Sequence, residues 1–80
     1  MTHDDLVAAL RAIEGLRDKG KAHPHFYLRS RPFLHFHGDD AGRYADVRFG
    51  DDWEPVPAAT PAQRRALLRR VTAHVGSVRR

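Results

Sequence analysis

The sequence predicts a small α+β domain, a two-layer sandwich in the order α-β-β-β-(β)-α. An antiparallel sheet of three to four strands carries two helices packed on one face. Three observations predict it. Both ends of the chain place apolar residues at helical three-and-four spacing. The middle alternates apolar with polar residues and is rich in aromatic and branched side chains. Eighty residues make one domain, 1–80, with one core, so both helices must cover the same sheet face.

The first helix is expected over residues 4–18. Thr2 caps it, and Asp5 three residues on completes a capping box. Leu6, Leu10, Ile13 and Leu16 form its apolar stripe, and Gly20 is expected as its left-handed cap. "DKGKAHP" then reads as a linker. Three strands follow at residues 25–29, 33–37 and 43–49, bounded by proline, glycine and aspartate. "SRP" is expected as a three-residue turn and "GDDAG" as the next. "WEPVP" reads as an edge strand, because two prolines forbid a central one. The second helix starts at cap Thr60, with Pro61 at its first position and Gln63 closing a capping box. Gly76 is expected to stop it, leaving 77–80 as a frayed tail.

Alternation sorts the strand residues into two sets. Phe26, Leu28, Leu34, Phe36, Ala45, Val47 and Phe49 belong to the core face. His25, Tyr27, Arg29, Phe33, His35, His37, Tyr44, Asp46 and Arg48 belong to the opposite, open face. A three-residue turn sets His25 opposite His37 and Tyr27 opposite His35. The next connection sets His37 opposite Tyr44 and His35 opposite Asp46. Trp53 is expected to close the core at the sheet edge.

Composition excludes several classes. There is no cysteine, hence neither a disulfide framework nor a thiolate zinc ribbon. No apolar run approaches the roughly 18 residues of a membrane span, so no membrane partner is expected. The start "MTHDDLVAAL" is acidic where a secretory leader is basic, and a cytoplasmic location is expected. The net charge is +4, but residues 61–80 hold six arginines and no acid. The preceding sixty residues are therefore −2, and the basic helix suits an anionic partner.

Three functional readings follow. Aromatic residues interleaved with basic ones can stack bases and contact phosphates. Tyr27, Arg29, Phe33, Tyr44 and Arg48, with Arg31 beside them and Arg65 and Arg69 from the second helix, are the candidates for nucleic acid or another anionic partner. Two histidines at i and i+2 on one strand point the same way, about 7 Å apart by strand rise. His35 and His37, with His25 as third ligand and Asp46 orienting His35 from behind, make a candidate zinc site, structural or catalytic. The open aromatic face also suits a homodimer interface. No catalytic residue is assigned, because there is no cysteine and the serines and threonines lie at the termini, in turns or in the second helix, away from the His35–Asp46 pair. Asp39-Asp40 and Asp51-Asp52 lie at opposite ends of a strand, about 20 Å apart, and read as turn residues rather than one cation site.

The run "RPFLHFHGDDAGRYADVRF" followed by "PAQRRALLRRVTAHV" resembles the bacterial luciferase-like domain family. His35, His37, Gly38, Asp39, Ala45 and Asp46 fall on its pattern of His-x-His, a turn aspartate and an aspartate-bearing strand. The order of elements is also similar to the small MmcQ/YjbR-like proteins, often described as DNA-binding, whose C-terminal motif is lacking here. Both resemblances imply a small α+β domain without an assigned reaction.

Overall fold

Thr2 opens the fold. Its hydroxyl accepts from the Asp5 amide at 3.0 Å while the Asp5 carboxylate accepts from the Thr2 amide at 2.9 Å, a closed capping box. The computed structural model that this section describes covers residues 1–38 and 43–79. The turn aspartates Asp39 and Asp40, and Arg80, lie outside the described residues. Helix α1 runs His3–Arg11 and buries Leu6, Val7 and Leu10.

The helix ends well short of residue 18. It stops at Arg11 with Ala12 as its cap, and Gly15, with φ +101°, turns the chain into the next element. Leu16–Asp18 then form strand β1, which pairs antiparallel with β2 (His25–Leu28). Leu16 is buried in this strand, so its apolar character satisfied helical spacing by coincidence. Gly20 is not the expected cap. It allows a close approach instead, since a Cβ there would lie 1.7 Å from the His23 carbonyl oxygen. Asp18 organises this loop: one carboxylate oxygen accepts from the amides of Gly20 and His25, the other from the Arg11 guanidinium.

Strand β3 spans Arg31–His37, β4 Tyr44–Val47 and β5 Glu54–Pro57. The five strands form one antiparallel meander in chain order, one strand more than the three to four expected, the addition being β1. Pro55 and Pro57 do sit on an edge strand, as two missing amide donors require. The β2–β3 hairpin differs from the expected one. Its turn is the two residues Arg29 and Ser30, both with positive φ (54° and 67°), and Leu28 pairs with Arg31. Phe33 is an extra residue in a β-bulge between the Tyr27–Pro32 and Phe26–Leu34 pairs. One fewer turn residue and one bulge residue preserve parity, so Leu28 and Leu34 still share the core face.

Helix α2 spans Pro61–Val78 from a complete Thr60–Gln63 capping box and lays Leu67, Val71 and Val75 on the sheet. It continues through Gly76, where the expected stop does not occur, to Val78. Both helices join the single core built on Phe26, Leu34, Ala45, Val47 and Val56.

Candidate functional site

With both helices on one side, the other side of the sheet is uncovered. Strands β1 to β4 position its residues. β2 supplies His25 and Tyr27, β3 supplies His35 and His37, and β4 supplies Tyr44 and Asp46, each two residues apart and hence on one face. Arg17 of β1 lies across from Tyr27. Pairing sets His35 opposite Asp46 and His37 opposite Tyr44, the expected register. The bulge moves the other pairs: His25 faces His35 rather than His37, and Tyr27 faces Pro32 rather than His35.

The rings form a continuous aromatic row. His25 contacts Tyr27 and His35, with ring centres 5.2 and 5.3 Å apart. His35 meets His37 at 4.4 Å, and His37 stacks on Tyr44 at 5.3 Å. Trp53 completes the row, edge-on to His35 at 4.8 Å. It does not close the core. It is 38% exposed, as is Tyr44, and these are the exposed large hydrophobic side chains among the described residues. The signal for Trp53 was its place just before Glu54: Glu54 pairs with core-facing Val47, so its predecessor points to the open face.

Cations frame this row. The Lys19 ammonium lies 4.7 Å from the centre of the Tyr27 ring, and the Arg48 guanidinium 5.1 Å from that of Trp53. Arg48 is fixed by donating to the Pro32 carbonyl at 2.7 Å. Two clefts flank the hairpin turn. Arg29, Arg31 and Arg48 line one, and Arg17, Lys19, Tyr27 and Arg29 line the other.

Three expected members lie elsewhere. Phe33 is buried, 3% exposed, because the bulge turns it inward beside Leu34, where it stacks on His74 of α2. Arg65 and Arg69 are exposed on α2 two residues either side of Leu67, about 160° around the helix from it. They point away from the sheet and cannot share a surface with Tyr27 or Tyr44. The basic helix is also partly engaged in structure. Arg64 donates to the carbonyls of Met1, Ala58 and Ala59, Arg70 pairs with Glu54, and Arg79 pairs with Glu14.

Asp46 is the one acid at the centre of the face. Its Oδ2 lies 2.9 Å from His37 Nε2 and 3.5 Å from His35 Nε2. The donor atoms of these three residues lie within 4.8 Å of one another, a set that does not include His25. Asp46 therefore stands beside both imidazoles as an equal ligand candidate, not behind them. Burial lowers the pKa of His35 below its ordinary value, and the neighbouring His37 and His25 add to this against the opposing pull of Asp46. Its imidazole is neutral at pH 7.

Comparison with protein-family models, with curated proteins and with solved structures finds no match to this chain. No helix among the described residues is long and apolar enough to cross a membrane.

Proposed function

We propose that the uncovered sheet face binds single-stranded nucleic acid. The observation that carries this reading is the placement of the exposed aromatics. Tyr44 and Trp53 stand on one sheet face, in a row with Tyr27, and cations bracket that row. A row of this kind offers unpaired bases flat partners, each worth about 1–3 kcal/mol by alanine substitution. Arg17, Lys19 and Arg48 lie at the hairpin end of the face, with Arg29 in the turn itself, where they can follow a phosphate backbone. The sheet is too broad to enter a duplex groove, so single strands fit and paired ones do not.

Fluorescence anisotropy with a labelled single-stranded oligonucleotide tests this. Four phosphate contacts predict a log–log salt slope of about −3. Trp53→Ala and Arg48→Ala weaken binding by roughly tenfold each, at about 1.4 kcal/mol per decade. Arg65→Ala and Arg69→Ala on the far side leave it within about twofold of wild type if the sheet face is the binding surface. The reverse ranking, with α2 variants losing affinity and sheet variants retaining it, would overturn the proposal. If sedimentation shows instead that the oligonucleotide-free protein self-associates through Trp53, the face is a dimer interface.

A further inference from the structure

We infer that His35, His37 and Asp46 together bind a divalent transition-metal ion of the zinc type. Two imidazoles and one carboxylate are ligands of the borderline character such ions take. The backbone fixes their convergence: two come from alternate positions of β3 and the third from directly across in β4. Around a zinc ion, ligand atoms about 2.1 Å from the metal lie about 3.4 Å from one another. Here two of the separations are 2.9 and 3.5 Å, and all fall within 4.8 Å. Small side-chain rotations close the remainder.

A second observation separates this cluster from an ordinary histidine–carboxylate pair. His37 Nε2 is buried and 2.9 Å from the Asp46 carboxylate, yet it has no hydrogen-bond partner. His35 Nδ1 and His25 Nε2 are likewise buried without a partner in the same patch. A cation held between Asp46, His37 Nε2 and His35 Nε2 would give the buried His37 nitrogen the partner it lacks. Solvent reaches the cluster, His37 being 40% exposed, so the fourth coordination position stays open to water or an incoming anion.

The site shares His35 and His37 with the aromatic row but uses their ring nitrogens and the Asp46 carboxylate, and it is tested without any oligonucleotide. Untagged protein is titrated with zinc chloride at pH 7.5, followed by calorimetry and by histidine side-chain NMR. The expected result is saturable one-to-one binding in the micromolar range, with the His35 and His37 resonances shifting and those of His3 and His74 unmoved. Asp46→Asn and His37→Gln weaken it by at least 10- to 100-fold, the loss typical even of outer partners of a metal ligand. His25→Gln changes it by less than threefold. Affinity falls as pH is lowered, because protons compete with the metal for the ligand nitrogens. No saturable binding below millimolar zinc, shifts centred on another histidine, or full affinity in both ligand variants would overturn the assignment. Should a variant unfold, cobalt(II) decides on the wild-type chain. Intense visible bands of a four- or five-coordinate nitrogen–oxygen site support it, and the pale spectrum of the hydrated ion refutes it.

Discussion

Phe33 shows what a single residue's placement decides. Alternation counted from Leu34 assigns it to the open face, yet the bulge turns both residues inward. A buried phenylalanine truncated to alanine costs about 3–5 kcal/mol, so Phe33→Ala should lower the urea midpoint severely, where an exposed ring would cost under about 1 kcal/mol. Trp53 is the converse. It stands on the open face against His35 and beneath Arg48, so Trp53→Ala should leave stability within about 1 kcal/mol while weakening oligonucleotide binding roughly tenfold. The His35–Asp46 and His37–Tyr44 pairs were legible in the sequence because no irregularity interrupts β3 and β4 between them. His25 was legible as an open-face residue but not in its register, since nothing in "SRP" announces that the proline enters the strand and the extra residue follows it. A proline without an amide donor is tolerated there because a bulge already breaks the ladder.

At the level of elements, both capping boxes were legible as spaced residue pairs, Thr2 with Asp5 and Thr60 with Gln63. The end of α1 was not, because Ile13 and Leu16 fit helical spacing as well as the strand that Leu16 joins. Only the left-handed backbone of Gly15 distinguishes the two, and Gly15→Ala should destabilise by about 1 kcal/mol or more. The hairpin invites the opposite change. Ser30 adopts φ 67° with a side chain, and Ser30→Gly should raise stability by about 1 kcal/mol in chemical denaturation. Gly76 lies inside α2 with open space around it, and Gly76→Ala should stabilise by up to about 1 kcal/mol. Loss of stability in that variant would show that α2 ends at the glycine.

For the whole molecule, the division into a covered and an uncovered face was legible, and the allocation of charge was not. Counting six arginines near the C-terminus suggests a free basic helix. The fold instead commits Arg64 to carbonyls and pairs Arg70 and Arg79 with acids distant in sequence. The cations left to a ligand on the sheet face come from β1, the hairpin and the end of β4. The pH dependence of stability also belongs to this scale. His35 binds its proton less readily when folded than when unfolded, so stability falls as pH drops below the unfolded value of about 6.5. The Asp18 carboxyl, raised by burial but lowered further by the amides of His25 and Gly20 and by Arg11, sits below its ordinary value of 3.8. Its contribution is present above that value and is lost as pH falls through the folded pKa. Thermal unfolding from pH 8 to 3 should therefore decline in two stages, the first absent from His35→Gln.

Trp53 is the chain's one tryptophan and stands on the proposed binding face, so its emission reports occupancy of that face directly. Titration with a single-stranded oligonucleotide at low salt should quench the emission saturably. Raising the salt should reverse the quenching along the same curve as the loss of binding. Unchanged emission at oligonucleotide concentrations where anisotropy shows the complex formed would place the ligand elsewhere and contradict the account.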